Sequence, residues 1–214
     1  KPQERVDRLT AFLTPGEDEP VWVGVWPLAD LEGLTATVAL PDAPLTVDVR
    51  YLHCWPQRTG WRSREWYLTP ELILPCADGK RQVPARRGVL QERPFDVKRG
   101  ETTAFWLTLT AREDAPPGTY QGAVTLSSAE RPALVLPLRV EVLPFRLQKP
   151  EDRHWMLYCD AFRWNWGPMS DDQVLAELRD FARHGITGLV EISVAKVDVS
   201  RLPQKEVEVD VSPY

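Results

Sequence analysis

The sequence predicts a mainly β protein in two parts: a two-sheet β-sandwich over residues 1–147, then the incomplete start of a β/α barrel over residues 148–214. Three observations carry that prediction. The 20 prolines concentrate before Pro150 and separate short, alternating, β-branched runs. No long stretch of helical period interrupts those runs. After Pro150 the pattern changes to an apolar run, a capped amphipathic helix and a second apolar run.

In chain order, strands are expected at Val21–Val25, Leu34–Leu40, Leu45–Cys54, Glu71–Leu74, Thr103–Thr110, Tyr120–Ser127 and Leu134–Val142. Short strands with turn signals between them suggest two packed antiparallel sheets. Two strand starts echo each other. Gly16-Glu17 precedes Trp22 by the same spacing as Gly100-Glu101 precedes Trp106. Asp114-Ala115-Pro116-Pro117-Gly118 reads as a turn, because proline fixes φ and glycine tolerates positive φ. Tyr120 just beyond it is placed to bury its ring while its hydroxyl reaches loop backbone, as at the corner of an immunoglobulin-like sandwich. Pro144–Pro150 reads as a linker.

The second part opens with His154-Trp155-Met156-Leu157-Tyr158-Cys159, an apolar run expected of a parallel strand covered on both faces. Ser170 and Gln173 form a capping-box pattern, with Asp171 and Asp172 at the positive end of the helix. Val174, Leu175, Leu178, Phe181 and Ala182 fall on one helical face. His184-Gly185 supplies a C-terminal cation and a left-handed cap. Gly188–Ser193 is the next strand, and the alternating valines from Val197 to Val211 suggest a hairpin in the loop after it. Ser212-Pro213 matches the start of a further helix. A full barrel needs roughly 250 residues, so about a quarter of one is expected here.

Composition narrows the function classes. Hydrophobic residues make up 43% of the chain, enough for a packed core, and 27% charged residues argue against disorder. A net charge of -5 gives no electrostatic reason to bind nucleic acid or an anionic membrane. No apolar run approaches the roughly 20 residues of a membrane span. Cys54, Cys76 and Cys159 are widely spaced, so neither a zinc site nor a disulfide framework is expected. A Cys54–Cys76 bridge and buried free thiols both fit. His53, His154 and His184 lie far apart, and no metal or cofactor is implied.

Two clusters could carry chemistry. Asp160, Arg163, Trp164, Asn165 and Trp166 follow the first barrel strand, on the face where barrel enzymes build their sites. Sugars offer C–H faces to aromatic rings and hydroxyls to such polar groups, so these residues suit a substrate pocket; alternatively the two Trp rings pack on the sandwich. Glu191, a lone acid in an apolar strand, either binds substrate or pairs with an arginine such as Arg163. The second cluster holds Tyr51, His53, Cys54, Trp55, Arg58, Trp61, Arg62, Arg64, Trp66 and Tyr67. It reads as a carbohydrate surface or as an interface with the barrel.

The order of elements resembles glycoside hydrolase family 123 and related proteins with domain of unknown function 4091. The segments that carry the likeness are Gly16–Pro20, Leu68–Leu74, Phe105–Leu109, Ala115–Gly122 and His184–Gly188. The resemblance implies an accessory β-sandwich ahead of a barrel, an exported (secreted or periplasmic) protein, and action on amino-sugar glycans. It also implies an adjacent Asp-Glu pair on the barrel that orients the substrate's acetamido group and protonates the leaving oxygen. Asp18-Glu19 is the one such pair here, and it lies in the sandwich. The catalytic pair is therefore expected beyond Tyr214, and this chain is expected to be the non-catalytic N-terminal portion. The alternative is a carbohydrate-binding or scaffolding module without chemistry of its own. The expected partners are carbohydrate and the remainder of the barrel.

Overall fold

A computed structural model describes residues 5–58, 60, 62–86, 89–129, 131–148, 152–158 and 170–190. The chain divides into two compact units, Lys1–Leu147 and Gln148–Tyr214. The first is built from strands β1 (Leu9–Leu13), β2 (Asp18–Val25), β3 (Thr35–Ala39), β4 (Leu45–Arg58) and β5 (Trp66–Ala77). It continues with β6 (Lys80–Arg86), β7 (Val89–Pro94), β8 (Thr103–Ala111), β9 (Gly118–Ser128) and β10 (Arg131–Val142). No helix occurs in this unit among the described residues.

These strands form a four-stranded sheet, β1-β10-β9-β3, and a six-stranded sheet, β2-β8-β4-β5-β6-β7. Alternation fixes which residues face inward. Val23, Phe105 and Tyr51 pair across the six-stranded sheet, as do Leu107 with Val49 and Leu109 with Val47. On the four-stranded sheet Leu13 pairs with Val142, Leu136 with Val124, and Val38 with Val124. The inward residues of both sheets merge in one buried cluster with Phe95 and Val97.

All pairings in this unit are antiparallel except one: β1 runs parallel to β10. The expectation of purely antiparallel sheets is corrected there. Pro137 sits in β10 one residue before β1 joins it at Leu138, where the missing N–H leaves no gap in the β1 ladder. The Tyr120 expectation holds: its hydroxyl donates to the Pro116 carbonyl at 2.9 Å while its ring packs against the core. Gly122 faces inward opposite Leu138, and a Cβ there would collide with the Ala39 carbonyl. That contact explains a glycine in mid-strand.

The second unit contributes β11 (Met156–Tyr158), helix α1 (Asp171–Arg183) and β12 (Gly188–Val190). The two strands pair in parallel. Ser170 and Gln173 make both hydrogen bonds of a capping box. At the other end Gly185, at φ +81, donates to Ala182 and Ile186 donates to Phe181, which satisfies the last carbonyls. Val174, Leu175 and Leu178 are buried, with Phe181 and Leu189 against them. Met156 and Leu157 are exposed, not covered on both faces, because the described sheet here has two strands and a single helix. Among the described residues no helix is long and apolar enough to cross a membrane.

Candidate functional site

The residues expected to shape a barrel pocket, Asp160, Arg163, Trp164, Asn165, Trp166 and Glu191, lie outside the described residues, as do Cys159, Trp61 and the expected hairpin at Val197–Val211. The structure does place the strands that precede them. Asp160 follows β11 in the chain, and Glu191 directly follows β12, the parallel partner of β11.

The aromatic and arginine cluster is described almost entirely. β8 accompanies β4 only as far as Tyr51. Beyond it, Leu52–Arg58 and Trp66–Ile73 continue as a two-stranded ribbon. Its register slips between His53 and Cys54, leaving Glu71 as the extra residue of a bulge. The bulge turns the Glu71 carboxylate toward Trp55 and Gln57, whose side-chain N–H groups both donate to it. At the tip the Arg58 guanidinium lies over the Trp66 ring, 4.8 Å from its centre. Trp66, Tyr67 and Leu68 are exposed.

At the base of the ribbon Tyr51 is buried, and its hydroxyl donates to the Gln82 carbonyl at 2.6 Å. The same oxygen lies 3.1 Å from His53 Nδ1. Burial pushes the Tyr51 phenol up to about 12, against the opposing pull of Arg81. Burial, and then Arg81, lowers His53. Cys76 rises to about 11, chiefly by burial. Cys54 and Cys76 are free thiols, both half-buried. Arg50 pairs with Pro75, so the two cysteines lie on opposite sides of that pair, five residues apart along the strands. That separation is roughly 16 Å, against the about 7 Å limit for a disulfide.

A further arrangement was not anticipated. On the outer face of the six-stranded sheet, Trp22 of β2 is the direct partner of Trp106 of β8, which in turn pairs with Arg50 of β4. The sequence echo accounts for the symmetry. Gly16 and Gly100 adopt nearly identical left-handed conformations, φ +82 and +80. Both following turns close with the same bond, Glu17 N to Thr14 O and Glu101 N to Lys98 O. The equal Gly-to-Trp offset was therefore the signal in the sequence that could have located this row. Among the described residues no group of three or more His, Cys, Asp or Glu side chains could hold a metal ion.

No protein-family model matches the chain, and no curated protein matches it by sequence. Its fold is similar to that of a family 123 glycoside hydrolase from Clostridium perfringens, a structure concerned with glycolipid glycan hydrolysis. The likeness has a TM-score of 0.61 at 10% identity and covers 87% of this chain. The chain spans only 33% of that enzyme's length. A weaker likeness, TM-score 0.34 at 14% identity, covers 64% of the chain and 87% of AvmM, which catalyses macrocyclization in alchivemycin A biosynthesis. Another, TM-score 0.29 at 13% identity, covers 66% of the chain and 84% of the ASH/PapD-like domain of human CEP192. Of these three, the hydrolase alone has a TM-score above 0.5, and at 10% identity that likeness shows the fold alone.

Proposed function

We propose that this chain is the N-terminal, non-catalytic portion of a glycoside hydrolase acting on amino-sugar glycans: an immunoglobulin-like β-sandwich accessory domain followed by the first βαβ portion of a (β/α)8 barrel. The observation that carries the reading is the 87% of the chain covered by the likeness to the Clostridium perfringens enzyme. The glycolipid glycan named for that enzyme gives the substrate class its direction. Two further features support the architecture. The Tyr120 hydroxyl bond to Pro116 is the corner expected of such a sandwich. The parallel β11–β12 pair joined through α1 is a βαβ unit of the kind that a barrel repeats, which supports the reading.

In this reading Asp160, Arg163, Trp164, Asn165, Trp166 and Glu191 contribute to substrate binding, and the acid pair belongs to later barrel strands. Substrate-assisted hydrolysis needs a proton donor and a second group that orients the acetamide, both fixed beside the sugar. The 214-residue chain should therefore release no product from aryl N-acetylhexosaminides above the blank. Turnover that disappears in Asp160→Ala or Glu191→Ala would show that the chemistry is in this chain. Reading the gene past the codon for Tyr214 tests the other half. Further βα units with an adjacent Asp-Glu pair are expected, and a coding sequence without them would sink the reading.

A further inference from the structure

We propose that the Trp22–Trp106–Arg50 row on the outer face of the six-stranded sheet is a glycan-binding platform, with a pyranose ring stacked flat on the Trp22 indole. The argument begins at Gly24. A Cβ there would meet only one neighbour within 4 Å, the Cζ3 of Trp22 at 3.7 Å. The edge of the indole therefore reaches toward the residue two positions on along its own strand. Trp22 is 63% exposed. Gly24 pairs with Ala104, so two small residues lie beside the ring, the second of them buried.

The surroundings match a sugar better than an apolar partner. A pyranose presents an axial C–H face to an aromatic ring and carries its hydroxyls around the edge. Arg50, two strands from Trp22, is roughly 10 Å away across the sheet, a span that one or two sugar rings bridge. Its guanidinium is held by Asp48, Nε to Oδ2 at 2.7 Å, which fixes a donor and an acceptor together on the outer face. Thr108 stands between Pro20 and Asp48, and Thr110 donates to Asp18 at 2.5 Å. These polar residues bound the aromatic row. Scattered exposed aromatics are ordinary on protein surfaces. An exposed tryptophan in register with a second one, and through it with a paired arginine and carboxylate, is more specific.

The proposal does not rest on the hydrolase reading, since binding of an uncut sugar is its observable. An inactive parent barrel would leave it standing. The test is a tryptophan-fluorescence titration of the 214-residue chain with chitotriose, cellotriose and galactotriose, backed by saturation-transfer NMR to find the sugar protons in contact. At least one trisaccharide should bind in the millimolar range or tighter. Trp22→Ala should weaken it about tenfold or more, the size expected of one aromatic stacking contact. Gly24→Leu should weaken it comparably by displacing the edge of the ring, and Arg50→Gln by several-fold. Phe12→Ala, which removes an exposed ring elsewhere in the unit, should change nothing. Circular dichroism confirms that each variant is folded. Absence of binding by all three sugars would overturn the proposal, as would affinity that survives Trp22→Ala and Arg50→Gln. So would concentration-dependent self-association abolished by Trp22→Ala, which would make the row a contact between copies.

Discussion

At the scale of single residues, Tyr51 is buried in the β unit and held there by both its ring and its hydroxyl. Its ring packs edge-on against Phe95, the Arg81 guanidinium lies near both rings, and its hydroxyl bonds to Gln82. Burial raises its phenol from the ordinary value of 10.0 to about 12. The folded state thus holds this proton more tightly than the unfolded chain does. The resulting stability is fully present below pH 10 and is lost as pH rises toward 12. Cys76, raised from 9.0 to about 11 by burial, adds a similar loss that begins lower, above pH 9. Tyr51→Phe removes the Gln82 bond and should cost about 1 kcal/mol near neutral pH. Because the variant has no phenol at 51 to ionise, its deficit against the parent should shrink between pH 10 and 12. Urea midpoints at pH 8 and pH 11 decide this. A deficit that stays constant would mean the phenol is not held back by its surroundings.

At the scale of elements, the alternating strands were legible and the charged ones were not. β2, β3, β8, β9 and β10 carry apolar residues on every second position, and each was expected within a few residues. β6 reads Lys-Arg-Gln-Val-Pro-Ala-Arg and β7 is exposed throughout, so neither has an apolar face to announce it. The turn between β5 and β6 was the missed signal. Asp78 and Gly79 both have positive φ, 49 and 72, as a two-residue hairpin turn requires. β1 escaped because apolar Phe12 sits on its exposed side, so the buried Leu9, Ala11 and Leu13 do not stand out as an alternating run. The expected barrel site rests on residue types alone, at positions outside the described residues. The Trp row needed the register of β2, β8 and β4. Gly79 also packs against another backbone: a Cβ there would stand 3.0 Å from the Gly33 Cα and carbonyl oxygen. Gly100 has a similar φ with open space around it. Both Gly→Ala variants incur left-handed strain of about 1–2 kcal/mol, but only Gly79→Ala must also push Gly33 aside. Its urea midpoint should therefore fall further than that of Gly100→Ala; equal losses would show that the Gly33 contact relaxes freely.

At the scale of the whole molecule, the two units keep separate cores. Every residue of the larger cluster, from Leu9 to Val142, belongs to the β unit, and the smaller cluster on α1 and β12 draws only on the second. The β unit also secures its own chain ends. β1 is locked along β10 with Leu9 and Leu13 buried, and Leu143 N donates to Leu13 O just beyond the last pair. Arg146 pairs with Glu113 within the same unit. A unit whose first and last strands are neighbours, and whose core is filled by its own side chains, has what independent folding requires. Residues 1–147 expressed alone should therefore unfold cooperatively in urea, with a midpoint matching that of the β unit in the 214-residue chain. Far-UV circular dichroism and tryptophan fluorescence, followed through the same titration, should give coincident curves. A shorter chain that is unfolded in buffer, or whose two probes separate, would mean that residues 148–214 complete the β unit rather than follow it.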